Sequence, residues 1–217
     1  MKKFASFFAV FLFITLFAVA SEAGDRNIPV EVAQLTDSLK KQFAPDRRVA
    51  LLDVDYSFSD KNVMLRGVTT SAEAKNALLK ELARKGYAVM DCLELLPDVK
   101  GLEGKTCGII NVSVANMRVA PDFSSEMMTQ SLMGMPVRVL QRDGWVRIQT
   151  PDNYIAWVHR VGVHPVTEEE MAAWNKAEKI VVTAHYGFVY SEPNQTSQTV
   201  SDVVAGNRLK WEGSKGA

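Results

Sequence analysis

The sequence predicts an α+β N-terminal domain followed by two small all-β barrels, the second incomplete. Three observations carry that reading. Residues 28–98 order their apolar periodicities as helix, strand, strand, helix, strand. Residues 109–165 hold short period-2 apolar runs broken by Gly, Pro and Asp-Asn turns, the pattern of a small barrel and not of helices. The turn and strand residues of that barrel then recur at one constant offset of 72, from Pro121 to Pro193, which is the mark of an internal repeat.

In chain order, residues 1–20 read as a secretory signal peptide. Met1-Lys2-Lys3 is a positive start, Phe4 to Val19 is apolar apart from Ser6 and Thr15, and Ala18-Val19-Ala20 offers a small-x-small cleavage site. The alternative is an uncleaved anchor, since this run lies near the lower length limit for a spanning helix. With the signal removed, the mature protein is expected to be exported to the periplasm or cell envelope, with no membrane segment of its own.

The domain at 28–98 opens with an amphipathic helix from Val30 to Phe43, its apolar face set by Val32, Leu35, Leu39 and Phe43. Ala44-Pro45-Asp46 stops it. Val49–Phe58 and Val63–Val68 read as paired strands around a Ser59-Asp60-Lys61-Asn62 turn. Ser71 caps a second helix, Glu73 complements its dipole, Ala74, Ala77, Leu78 and Leu82 face inward, and Gly86 ends it. A strand over Tyr87–Leu96 follows. The order of elements, with Leu65-Arg66-Gly67 before the helix, resembles the BON module of bacterial envelope proteins. The resemblance implies an attachment or protein-contact role; the plain alternative is a small domain that packs against its neighbours.

Residues 99–108 read as a glycine-rich linker. Cys92 and Cys107 flank it, fifteen residues apart. In an exported protein they either form a disulfide, worth about 3 kcal/mol for a loop of this length, or remain buried thiols that behave as small hydrophobes.

The first barrel, 109–165, contains an Asn116-Met117-Arg118 start, Pro121, a Gly134-Met135-Pro136-Val137 middle, a Gly144-Trp145 turn, a Pro151-Asp152-Asn153 hairpin tip and a closing Tyr154-Ile155-Ala156-Trp157-Val158 strand. This wording resembles bacterial SH3-like domains, with Ala156 in place of the usual closing glycine. In the repeat, Ser125 falls on Ser197, Gly134 on Gly206 and Gly144 on Gly216, while Leu132, Val137 and Val139 fall on Val204, Leu209 and Trp211. The partner of Trp145 is Ala217, so the counterpart of Val146–His159 is missing and the second barrel, 179–217, is expected to be truncated, as in a shortened product of a longer protein. Between the barrels, at 166–178, Thr167-Glu168-Glu169-Glu170 is a capping box that opens a short linker helix through Met171, Trp174 and Ala177.

Composition narrows the function. The 25 basic and 25 acidic side chains balance, which gives no electrostatic case for nucleic acid. His159, His164 and His185 have no cysteine or carboxylate at metal-ligand spacing, so no metal is expected. His159 reads as a barrel-end residue, and Trp145 and Trp157 as core or core-edge. Phosphate-cradling, nucleophile-elbow and zinc motifs are lacking, and no cofactor is expected.

Two barrels after a BON-like segment, with the wording SSEMMTQSLMGMPVRVLQRDGWVRIQTPDNYIAWV at 124–158, resemble the N-terminal half of secreted γ-D-glutamyl-diamino-acid endopeptidases. These are NlpC-type cysteine peptidases, also called dipeptidyl-peptidase VI. The resemblance implies that the catalytic domain follows the second barrel, so this chain is expected not to be an enzyme by itself. It also implies that Glu126 and Tyr154 hold the free amino end of a peptidoglycan stem peptide, L-Ala-γ-D-Glu. A carboxylate pairs well with an ammonium, and a phenol packs and orients it. The second repeat has Gln198 where the first has Glu126, so only the first barrel would do this. The alternative is that Glu126 is a solvated loop residue and Tyr154 an edge aromatic. Three functions stay open: a substrate-gating module for a cysteine-peptidase domain, a free-standing adaptor that binds peptidoglycan or an envelope protein, and a truncated form of the full endopeptidase.

Overall fold

The computed structural model describes residues 28–214; the expected signal peptide and the residues matched to Gly144 and Trp145 lie outside them. The described chain divides into two compact units, one formed by the segment up to Phe43 with Leu52–Glu94, the other by Ala44–Leu51 with Leu95 onward.

In the first unit, α1 (Val30–Phe43) buries Val32, Thr36 and Leu39, one stripe at 4 and 3 residues. Thr36 takes the place expected for Leu35, which is only half-buried. Its hydroxyl donates to the Val32 carbonyl at 2.8 Å and lies 2.5 Å from the Tyr56 hydroxyl, so this buried polar group is satisfied. β1 (Leu52–Ser59) and β2 (Asn62–Thr69) form an antiparallel hairpin in which Ser59 faces Asn62. Gly67 sits at φ +117°, and a Cβ there would come within 2.2 Å of the Asp53 carbonyl oxygen, so no other residue fits this crossing. α2 (Ala72–Arg84) is capped by Ser71, whose hydroxyl accepts from Ala74 N at 3.1 Å. Ala74, Leu78 and Leu82 form its buried face, and Gly86 at φ +83° ends it. β3 (Ala88–Leu95) completes a three-stranded sheet in the order β1-β2-β3.

The second unit starts where the sequence suggested helix end and strand. Residues 44–51 belong to it, and the Arg48 carbonyl accepts the Ile155 N–H at 2.6 Å. Eleven strands follow in sequence, β4 (Cys107–Ile110), β5 (Val114–Arg118), β6 (Met127–Leu132), β7 (Pro136–Asp143), β8 (Trp145–Gln149), β9 (Ile155–His159) and β10 (Val163–Val166), then, after α3 (Glu168–Lys176), the four shorter strands of the second repeat. The first seven make one sheet in the order β10-β4-β7-β8-β9-β5-β6. That order is linear, not the closed ring expected of a barrel. Closure comes instead from packing: inward residues of six strands, among them Ile110, Met117, Val139, Ile148, Val158 and Val163, meet in one cluster.

Two expected boundaries shift. β4 begins at Cys107, inside the expected linker, because Cys107 pairs with Arg138 on one side and Val166 on the other. Leu102, also from that segment, is 3% exposed and joins the barrel core. The segment therefore contributes to the barrel and is not a free tether. α3 is capped as the sequence implies: Glu170 N donates to the Thr167 hydroxyl at 3.2 Å, and Thr167 N donates to the Glu170 carboxylate at 2.8 Å.

The second repeat holds β11 (Lys179–Val181), β12 (Tyr186–Tyr190), β13 (Thr199–Val204) and β14 (Arg208–Lys210). β11 pairs with β14 and β12 with β13, as β4 pairs with β7 and β5 with β6. The register shift between Met117 and Arg118 recurs between Val189 and Tyr190, at the same offset. The two repeats meet through their equivalent turns. Arg208 N donates to the Met133 carbonyl at 2.9 Å, and a Cβ on Gly134 would fall 2.2 Å from the Arg208 carbonyl oxygen. Asn207, fully buried beside them, donates to the Ser113 carbonyl at 2.9 Å and accepts from Val204 N at 2.9 Å.

Candidate functional site

The loop between β5 and β6 is held by its own side chains. Asp122 accepts from Ser124 N at 2.7 Å, Ser125 accepts from Ala120 N at 2.9 Å, and Val119 N donates to the Glu126 carbonyl at 3.0 Å. The hydrogen bonds from Ser124 hold the Asp122 carboxyl below its ordinary pKa. This leaves the Glu126 side chain exposed immediately before β6. Tyr154, half-buried, stands immediately before β9, where Thr150 and Asn153 fold the hairpin tip: Tyr154 N donates to the Thr150 hydroxyl at 3.0 Å, and Asn153 adopts φ +71°. Arg118 is the residue that faces both Met127 on β6 and Trp157 on β9. Glu126 and Tyr154 therefore lie at the same end of the rolled sheet, with the end of β5 between them.

The sequence did not reveal the neighbour of Tyr154. The Arg48 guanidinium lies 5.9 Å from the Tyr154 ring centre and pairs with Asp46 at 2.7 Å. Hydrogen bonds from Arg48 hold the Asp46 carboxyl down at about 2. Gln149 donates to the Val49 carbonyl at 3.3 Å and ties the same segment to the hairpin. That end of the sheet thus presents a carboxylate from the β5–β6 loop and a phenol from the hairpin tip, with a guanidinium from residues 44–51 beside the phenol. Arg48 comes from a segment about a hundred residues away in sequence, so no local pattern could have pointed to it.

Trp145, Trp157 and His159 stand at the edge of the core rather than inside it. They are half-buried and alternate with the inward Val146, Ala156 and Val158, which puts them on the outer face of β8 and β9. Arg147 lies over the Trp157 ring at 5.2 Å. Phe123, from the β5–β6 loop, meets Trp145 at 4.9 Å and His159 at 5.1 Å between ring centres, and Trp145 and His159 are 5.3 Å apart edge to face. These rings border a cavity of about 190 Å³ with Asn116 and Arg118. His164, on β10, and His185 are exposed and stand outside this cluster.

Cys92 is exposed on β3 and Cys107 half-buried on β4; both are free thiols in the structure. Burial, and then the charge of Glu168, raise the Cys107 pKa, the opposite of what activates a nucleophilic thiol. Among the described residues no group of three His, Cys, Asp or Glu side chains is placed to hold a metal ion.

Residues 117–161 match the bacterial dipeptidyl-peptidase Sh3 domain. Among solved structures, the chain is similar to a NlpC/P60 family protein from Bacillus cereus, at 19% identity over 50% of this chain and 48% of that one, with a TM-score of 0.41. It is also similar to a NlpC/P60 endopeptidase from Photobacterium damselae subsp. piscicida, at 11% identity over 88% of this chain and 48% of that one, with a TM-score of 0.42. The chain thus spans about half the length of these two solved structures. No curated protein matches it. The matched residues run from within β5 to the turn after β9, so the likeness to that domain is confined to the first barrel.

Proposed function

We propose that this chain is a non-catalytic cell-envelope module whose first barrel binds the free L-Ala-γ-D-Glu end of a peptidoglycan stem peptide, and gates it for an NlpC-type cysteine-peptidase domain. The observation that carries the reading is that Glu126 and Tyr154 both fall inside the segment matching the dipeptidyl-peptidase Sh3 domain and share one end of its sheet. Glu126 accepts hydrogen bonds from the ligand ammonium, a charge-assisted pairing. Tyr154 packs against the alanine and orients it. Arg48, its charge paired with Asp46, lies against the Tyr154 ring and helps hold it in place. A ligand with its amine blocked leaves the Glu126 carboxylate facing an amide, which is the basis of selectivity.

In this reading the protein is exported, its first 20 residues serve as the signal, and the N-terminal unit is a BON-like attachment domain. A second reading, an adaptor for an envelope protein, draws on the exposed aromatic side chains Tyr186 and Phe188 of the second repeat.

The test is calorimetric titration of the chain with L-Ala-γ-D-Glu and with its N-acetylated form. Binding of the free dipeptide alone is expected, and Glu126→Gln should weaken it by roughly tenfold or more, the scale of one charged hydrogen bond. Equal affinity for the wild type and Glu126→Gln removes Glu126 from the site.

A further inference from the structure

The outer face of an antiparallel sheet is ordinarily its polar, solvated side. On this barrel that face instead carries Trp145, Trp157 and His159, and the β5–β6 loop lays Phe123 over two of them. A ring used only to pin the loop would be covered by that contact. Phe123 keeps 67% of its surface exposed, so one side of it remains open to a ligand.

The polar groups around the cavity are also incompletely used. Asn116 accepts from Gln130 at 2.8 Å through its oxygen, which leaves its two amide N–H free of partners among the described residues. Arg118 gives one of its five N–H to the Ser125 carbonyl at 2.5 Å, and Asp122 lies close enough to interact with its charge. The ring nitrogens of His159 and the indole N–H of Trp145 make no hydrogen bond to the described residues. No carboxylate lines the cavity.

We infer that this cavity is a saccharide site, taking one pyranose ring. Aromatic faces bordered by amide, guanidinium and imidazole groups match a sugar, whose C–H faces are apolar and whose rim is hydroxyl. A volume of about 190 Å³ holds roughly six waters, close to the space one hexose displaces. Phe123 and Trp145 present the stacking surfaces; Asn116, Arg118 and His159 hydrogen-bond the hydroxyls. The site is separate in chemistry from the pairing of Glu126 with an ammonium, because it offers donors and rings where that one offers a carboxylate.

The experiment is saturation-transfer NMR on the full chain with glucose, N-acetylglucosamine and their β-linked disaccharides, followed by titration of the Trp145 indole N–H, assigned through Trp145→Phe. Saccharide binding is expected to move that resonance. Phe123→Ala, which removes an exposed ring and leaves the core untouched, should weaken binding about tenfold, the worth of one aromatic contact. Phe123→Tyr keeps the ring and should retain binding. N-acetylphenylalanine, which offers a carboxylate and a flat ring, is the competing probe. Three results overturn the assignment: no saccharide binds, saccharides bind equally well to Phe123→Ala, or N-acetylphenylalanine displaces them and binds the tighter.

Discussion

Ile110 on β4 is fully buried, while Val182, its counterpart 72 residues on, is half-buried; Val139 on β7 is fully buried, while Trp211 in the same place is 39% exposed. Yet many backbone hydrogen bonds of the turns recur between the two repeats. Gly134 N donates to the Ile110 carbonyl and Gly206 N to that of Val182, both at 2.8 Å, and the Asp122–Ser124 turn recurs as Asn194–Thr196. The difference is the hairpin of β8 and β9. In the first repeat it bridges β7 to β5 and supplies Val146, Ile148, Ala156 and Val158 to the core. In the second, among the described residues, β11–β14 and β12–β13 stand as two separate ladders. Turns and bulges are thus specified locally, whereas a dry core needs strands brought in from elsewhere along the chain.

Three measurements bear on that contrast. The largest effect is expected in the cores. Ile110→Ala should cost about 3 kcal/mol in urea denaturation, as for other buried Ile truncations. Val182→Ala should cost about 1 kcal/mol or less, since a half-buried valine loses little contact area. Equal costs would show that the second repeat is as well packed as the first. Next is the joint between them. Asn207→Ala leaves the Ser113 carbonyl and the Val204 N–H without their side-chain partner, and should cost about 1–3 kcal/mol. A negligible loss would mean that the repeats are held by the backbone contact of Arg208 and Met133 alone. The smallest effect is electrostatic. Asp46, held at about 2 by Arg48, has a folded pKa below its ordinary 3.8. Its contribution to stability is therefore present above pH 4 and lost as the pH falls through about 2. An NMR titration of its carboxyl should return toward the ordinary value in Arg48→Ala.

Much of this fold could be read from local pattern. The helix at Val30–Phe43, the cap at Ser71, the capping box at Thr167 and Glu170, and the repeat itself all follow from residues adjacent or periodic in the chain. What could not be read was long-range. Leu102 looked like part of a glycine-rich tether because nothing nearby signals that a barrel awaits it. Trp145 and Trp157 read as core or core-edge, and His159 as a barrel-end residue; only the alternation with Val146, Ala156 and Val158, seen against the true core, shows that all three lie half-buried on the outer face. Arg48 reaches Tyr154 through a segment that sequence order assigns to a different domain. Glu126 and Tyr154 were singled out by resemblance, and their common position at one sheet end depends on β5 lying between β6 and β9.

The register shift shared by the two repeats bears on how their edges can pair. Val200 is the extra residue in β13, placed where Met128 stands in β6, and it bends the ladder it sits in. A bulge of this kind locally increases strand twist, and a twisted edge is a poorer template for flat strand addition than a straight one. In the first repeat the corresponding strand, β5, carries the β9 ladder beside its bulge.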